Sequence, residues 1–226
     1  MAAVSSEKKS EETRQQILAT ALQLFRKKGF ERTTMRDVAR GAKLSLGASY
    51  YYFPSKEAIV MAYYDYVQRE HRRRAEAELP KAKTLRERLA IAFHTKLEIL
   101  RHDRDLLSAL FRYGGERDHP LSWFGPATRD QREESMAVFR AAIANEKLPR
   151  DVRDLAPLVL WTLHMGVILF FVYDSSPHER RTRKLIDDAL DLTVQVLGMI
   201  SNPLLQPVLR PTREKILKML RDAGLS

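Results

Sequence analysis

Apolar positions in this chain recur at three- and four-residue spacing, the mark of helices that bury one face. The first stripe is Ile17, Leu18, Ala21, Leu22, Leu24 and Phe25. Arg26, Lys27, Lys28 and Gly29 close it. Cations in a last turn with glycine just beyond are a helix stop. The spacing predicts a helix from Glu11, preceded by a polar, disordered arm over residues 1–10. A short second helix follows, with Thr34 as N-cap and Asp37 three residues on, a variant of the capping box. Met35, Val38, Ala39 and Ala42 form its inner face. A third short helix begins near Ser45 and ends at Phe53, because Pro54 disfavours a helical residue before it. Ser55 caps a fourth helix through Ile59, Ala62, Tyr63, Tyr66 and Val67, which fades in the charged run 70–78 before Pro80.

The remainder predicts helices near 84–102, 103–114, 126–145, 151–174 and 178–200. Pro120, Gly125, Pro126, Pro149 and Pro177 supply breaks, and 112–127 is the richest loop. After Pro203 and Pro207, residues 212–222 predict one more amphipathic helix, with Ile216, Leu217 and Leu220 beside Lys215, Lys218 and Arg221. Nothing repeats, and no stretch alternates as a strand would. The fold class is all-α: an N-terminal three-helix helix-turn-helix domain plus a larger helical domain. The expected divisions are an arm over 1–10, the helix-turn-helix domain over 11–56 and a connecting helix over 57–80. The larger helical domain over 81–202 and an extension over 203–226 follow.

Charge narrows the partners. The net charge is +10, with a pI near 9.9, which points to a polyanion, nucleic acid or an anionic membrane. Between Arg26 and Lys56, eight lysines and arginines face only Glu31 and Asp37, so more than half of the net charge falls there. No cysteine is present, which excludes disulfides, thiolate metal sites and cysteine nucleophiles. The polar opening is no signal peptide, and a cytoplasmic location is expected. The stretch 156–173 lacks Asp, Glu, Lys and Arg, but it contains Pro157, His164 and Gly166 and stands alone. It reads as a helix buried on most sides, so no membrane partner is expected.

Two short helices after a longer one make a helix-turn-helix, whose last helix enters the major groove. The run Thr33-Thr34-Met35-Arg36-Asp37-Val38-Ala39, followed by Ser45-Leu46-Gly47-Ala48-Ser49-Tyr50-Tyr51-Tyr52-Phe53-Pro54-Ser55-Lys56-Glu57-Ala58, resembles the TetR-family DNA-binding domain over residues 11–60. The resemblance implies that Thr34 caps the second helix and offers its backbone N–H to a phosphate, with Arg36 near the groove. It implies Ser45, Leu46, Gly47, Ala48, Tyr51 and Tyr52 on the exposed recognition face, and Tyr50 and Lys56 against the DNA backbone. One departure stands out. The family often has glycine just before the Leu44 position, where this chain has Lys43, with Gly41 two residues earlier. The presumed groove face lacks Asn, Gln and Arg, so Arg36 is the best candidate for a guanine, and Leu46 and Ala48 suit thymine methyls. Internal packing is an equal alternative for Tyr50.

The resemblance implies that 11–56 is a DNA-binding domain and that 81–202 is a ligand-binding, effector-binding and dimerisation domain, with an effector cavity between its middle helices. Candidate lining residues are Phe93, Leu97, Leu107 and Phe111, then Trp123 and Phe124 as a movable wall, and Trp161, Met165 and Ile168. His94 and His164 are the polar candidates, with Lys96 and Tyr113 behind them. Periodicity alone shows only a core, so a core position is the other reading of each, and for His164 a satisfied core histidine. The last two long helices are expected to pair in a homodimer through Gly166 and the stripe Ala189, Leu192, Thr193, Val196 and Leu197. Enzyme readings lack support: no phosphate loop, serine elbow or HExxH occurs. Asp187, Asp188 and Asp191 fit a solvated face, and His94 and His102 are too far apart for an ordinary metal site. No cofactor and no metal are expected. The function expected is a repressor bound to a palindromic double-stranded operator and released by a small apolar or amphiphilic effector. An architectural DNA-binding protein of the same fold without an effector is the alternative. A basic peripheral membrane protein using 212–222 is a third.

Overall fold

A computed structural model describes residues 2–222; Met1 of the expected arm and the last four residues of the expected extension lie outside it. Ten α-helices and three short 3-10 turns occur among the described residues, with no strand. They are α1 (Ala2–Lys28), α2 (Met35–Gly41), α3 (Leu46–Tyr52), α4 (Lys56–Glu78) and α5 (Leu85–Leu100). Then come α6 (Arg104–Gly114), α7 (Arg129–Ile143), α8 (Arg150–Tyr173), α9 (Arg180–Ser201) and α10 (Gln206–Asp222).

Two elements differ from expectation. Helix α1 starts at Ala2, inside the stretch expected to be disordered. Ala2, Ala3, Glu7, Lys8, Lys9, Glu11 and Glu12 are good helix formers, so propensity continues the helix where no apolar face does. Helix α10 starts at Gln206, ahead of both Pro207 and Pro211. Pro207 falls in the first turn, whose N–H groups have no intrahelical partner, whereas Pro211 lies inside the helix. The side chains of Leu217 and Leu220, expected on its apolar face, lie outside the described residues.

The chain forms two compact units. One runs to Arg69 and resumes over Leu100–Arg132; the other comprises Glu70–Ile99 and the residues from Glu133 onward. By packing, residues 100–132 group with the N-terminal helices. The first unit buries Ile17, Phe25, Phe30, Val38, Phe53 and Ile59 with Leu106, Leu110 and Leu121. A polar group sits inside it. Asp103, only 3% exposed, precedes α6. Its carboxylate accepts from Arg26 Nε at 2.5 Å and from the Tyr63 hydroxyl at 2.8 Å. One anion thus joins the end of α1, the middle of α4 and the start of α6. Burial, reinforced by Asp103, pushes the Tyr63 hydroxyl well up, so it remains a donor.

The second unit buries Leu89, Phe93, Phe139, Leu160, Phe171, Ile186 and Leu190. Arg88 on α5 donates to Ala142 O at 2.8 Å and pairs with Glu146, fastening the end of α7. Asp174 accepts from Thr182 N at 2.8 Å and from the Thr182 hydroxyl at 2.7 Å, holding the start of α9 against the end of α8. Helix α8 is long and apolar enough to cross a membrane by length and composition, and 44% of its most apolar window is buried. It is not covered on most sides, as expected from sequence: Val159, Leu169, Phe170 and Tyr173 are exposed. Leu185, Leu192, Val196 and Met199 of α9 are exposed as well, while Leu197 of the expected stripe turns inward.

Replacing Asp103 by alanine leaves the Tyr63 hydroxyl buried without its acceptor and Arg26 without its partner. The expected loss is about 3 kcal/mol. Tyr63→Phe should cost about 1 kcal/mol, and the double variant less than the sum. Urea denaturation of the three variants checks this.

Candidate nucleic-acid interface

The helix-turn-helix is built from two caps and one turn. Thr34 Oγ1 accepts from Asp37 N at 3.1 Å, and Thr34 N donates to Asp37 Oδ2 at 2.9 Å, closing the expected capping box. The box corrects one expectation: the Thr34 backbone N–H is already used and is not offered to a phosphate. Asp37 also accepts from Lys28 at 2.6 Å and Arg40 at 2.9 Å. The hydrogen bond from Lys28, with those from Thr34, holds its carboxyl well below the usual range.

At the end of α2, Leu44 N donates to Ala39 O at 2.9 Å and Lys43 N to Arg40 O at 3.2 Å. This is the Schellman pattern, and it requires a left-handed residue between. Lys43 takes that conformation, with φ +57°. The turn therefore keeps its shape without glycine. Gly41 serves a different purpose: a Cβ there would lie 2.7 Å from Thr20 Cγ2, so the glycine lets α2 lie close on α1. Gln16 of α1 adds a bond to Ala42 O at 3.0 Å.

Ser45 caps α3, its Oγ accepting from Ala48 N at 3.1 Å. Phe53 is buried and extended, which ends α3 ahead of Pro54 as expected. Ser49 is the fully buried position of this helix. Ser45, Gly47 and Tyr50 are exposed, Leu46, Ala48 and Tyr52 are half-buried, and Tyr51 is 82% exposed. The internal alternative for Tyr50 does not hold, because Ser49 takes the inward place. The Tyr51 and Tyr52 rings meet edge to face at 5.2 Å. Arg36 is exposed on α2.

Lys56 has more to do than expected. Its Nζ lies 3.0 Å from Phe30 O, 3.4 Å from Glu31 O and 4.4 Å from the centre of the Phe30 ring. An ammonium has three donors, so two hold the loop between α1 and α2 and one remains. Charge counting also missed that Arg26, Lys28 and Arg40 have acidic partners inside the first unit. Lys27, Arg36 and Lys43 are exposed.

The expected effector residues fall in both units. In the first, Leu107 is buried, the Phe111 and Trp123 rings meet at 4.4 Å, and Phe124 is exposed. The Trp123 indole covers Gly114, where a Cβ would fall 2.1 Å from the ring. The Trp123 backbone N donates to Gly114 O at 3.1 Å, and Arg132 binds its carbonyl at 2.6 Å. In the second unit, Phe93, Leu97, Trp161, His164 and Ile168 are buried, and Met165 is half-buried. His94 lines a surface cavity of about 530 Å³ with Arg73, Arg74, Glu78 and Glu98. His164 lies 4.7 Å from Phe93 and 5.5 Å from Phe139, ring centre to ring centre. It is not the satisfied core histidine considered from sequence, because its Nε2 has no hydrogen-bond partner. Sequence reasoning missed its neighbour His71, whose ring is 6.1 Å away. Tyr63, Val67, His71 and Ala75 are all buried at four-residue spacing, a signal hidden by the surrounding charges.

The model of the bacterial regulatory proteins of the tetR family matches residues 17–63, and that of the tetracyclin repressor-like C-terminal domain matches 88–211, more than half of the chain. The chain belongs to the TetR family. Among its relatives, the uncharacterized HTH-type transcriptional regulator YerO of Bacillus subtilis is 27% identical over 172 residues, 70% of this chain and 57% of that protein. The HTH-type regulator TtgR of Pseudomonas putida is 36% identical over 66 residues, 29% of this chain and 31% of that protein. The chain thus spans less than two thirds of the length of these curated relatives. The TetR regulator of Nitrosomonas europaea has the same fold, with TM-score 0.65 and 21% identity, over 80% of this chain and 98% of that one. FadR of Bacillus subtilis, solved in complex with stearoyl-CoA, has TM-score 0.62 and 16% identity over 79% and 96%. The TetR-family model on residues 17–63 falls on α2 and α3, the helices whose caps are described above.

Because Lys43 is left-handed, Lys43→Gly should stabilise this TetR-family domain by about 1 kcal/mol. A raised urea midpoint at unchanged slope checks it. Burial keeps His71 neutral down to about 2 and His164 down to about 3, against 6.5 for a free imidazole. Below 6.5 the unfolded chain therefore binds protons that the folded one refuses, so stability present above that pH is lost as pH falls. Urea midpoints should drop between pH 7 and pH 5, and His164→Phe should flatten the drop.

Proposed function

We propose that this chain is a dimeric transcriptional repressor that binds a palindromic operator through α2 and α3 and leaves it when a small amphiphile binds. The observation that carries the reading is the exposed face of α3. Three tyrosines in a row, one of them 82% exposed, stand on a helix held by a serine cap and a Schellman turn. Exposed aromatic surface on so firmly held a scaffold is suited to recognition. Gly47 and Ala48 permit close approach to base edges, Arg36 offers two parallel donors to a guanine, and Tyr51 and Tyr52 offer hydroxyls. Thr34, Ser45, Leu46 and Tyr50 frame that face, with Lys56 bracing it and touching the DNA backbone by its remaining donor.

A single helix-turn-helix reads one half-site, so two-fold pairing supplies the second, about 34 Å along the duplex or a multiple of that. The exposed apolar residues Val159, Leu169, Phe170, Leu192, Val196 and Met199 of α8 and α9 are the surface for that pairing. Nothing stands near the open Gly166 that would keep a partner helix at a distance. The stearoyl-CoA held by Bacillus subtilis FadR supports the effector part of the reading, since that regulator shares the fold. The effector would be bound better by a conformation with a different spacing of the two recognition helices.

Selection from random duplexes should return a two-fold-symmetric site whose affinity falls steeply with salt. Tyr51→Ala should weaken that site at least tenfold without changing the melting temperature, since its ring is exposed. Arg36→Ala should relax the preference at one base pair of each half-site. Selection that yields no symmetric site would sink the reading.

A further inference from the structure

Lys43 stands where the turn between α2 and α3 suits glycine. Its φ of +57° is left-handed, a region that an L side chain enters at a cost. The conformation is imposed from both sides. Leu44 N donates to Ala39 O at 2.9 Å, Lys43 N donates to Arg40 O at 3.2 Å, and Gln16 donates to Ala42 O at 3.0 Å. Glycine at this position would keep all three bonds without the strain. The Lys43 side chain is exposed, so packing does not require it either. Residues held in such a conformation by their surroundings gather at functional positions.

The ammonium of Lys43 is uncommitted. Of the cations around α2, Lys28 and Arg40 are held by Asp37, at 2.6 Å and 2.9 Å. Among the described residues, the Lys43 side chain has no acidic partner and no hydrogen bond. Its place along the chain then matters. Helix α3 carries no lysine or arginine. The nearest in sequence are Lys43 before it and Lys56 after it. Lys56 gives two of its donors to the carbonyl oxygens of Phe30 and Glu31. A helix in the major groove lies between two rows of phosphates, and contacts to these supply much of the affinity. With no cation on α3, such contacts must come from its flanks. Lys43 is the flanking cation with all three donors unused.

We infer that Lys43 binds a DNA phosphate at the edge of the groove that α3 enters, and that this contact is why lysine takes the place of glycine in the turn. The inference rests on the reading that the α3 face meets the duplex, and it adds the residue that anchors the start of that helix. A phosphate contact carries no base information, so base reading is left to Arg36 and the tyrosines. Stability and binding are opposed at this one residue: lysine weakens the turn and strengthens the complex.

Titration of the full chain with the selected duplex over a range of salt concentrations tests this. Lys43→Gly should melt higher than the parent yet bind at least tenfold more weakly at about 0.1 M salt. The slope of log affinity against log salt should fall by about 1 for each half-site, with the preferred bases unchanged. Lys43→Asn, a residue that accepts the left-handed region, should show the same loss of affinity and slope, whereas Lys43→Arg should keep both. Lys147→Ala removes an equal charge from an exposed position in the second unit and should leave the slope as it is. Parental affinity and slope in Lys43→Gly and Lys43→Asn, an altered base preference, or an equal loss from Lys147→Ala would overturn the proposal. If Tyr51→Ala weakens binding while the Lys43 variants do not, this proposal alone falls. If Tyr51→Ala also binds as the parent does, the reading of α3 falls with it.

Discussion

The carboxylate of Asp103 is the point on which the first unit depends. A buried anion persists only when it is paired and hydrogen-bonded. Arg26 and Tyr63 meet that requirement from α1 and α4, while Asp103 itself leads into α6. Three helices distant in sequence are thus brought to one atom group, where apolar contact alone would tolerate sliding. Helix α1 in turn carries α2 on Thr20 and Gln16, and α2 carries α3 through the Lys43 turn. The orientation of the tyrosine face follows from this chain of contacts.

Polar groups play different parts in the two units. In the first, the buried or half-buried charges are matched: Asp103 with Arg26, and Asp37 with Lys28 and Arg40. Matched pairs set positions and leave the exposed cations Lys27, Arg36 and Lys43 to face solvent. In the second, His71 and His164 are buried with bare nitrogens among aromatic rings. A matched network rigidifies, whereas a bare buried acceptor carries a cost that nothing offsets.

Much of this was legible in the sequence because local rules governed it. Thr34 with Asp37, Ser45, Ser55 and the pair Phe53-Pro54 mark helix ends through bonds between near neighbours, and those ends are found where the pattern placed them. What was illegible depends on distant partners. Nothing near Lys56 in sequence says that its ammonium turns to the Phe30 and Glu31 carbonyls, and nothing near Asp103 names Arg26. His71 was masked by the charges around it, although the four-residue spacing from Tyr63 was present. The arm before Glu11 was misread because burial was used as the test of helix, and residues 7–10 are helical yet exposed.

The central claim is that two copies present the α3 face to two half-sites of one duplex. Hydroxyl-radical footprinting of the full chain on a selected duplex tests it most directly. Two protected patches of equal strength should appear on one side of the DNA, about one helical turn or a multiple of that apart. Both should vanish together with Tyr51→Ala. A single patch, or uniform protection that spreads with protein concentration, would contradict it.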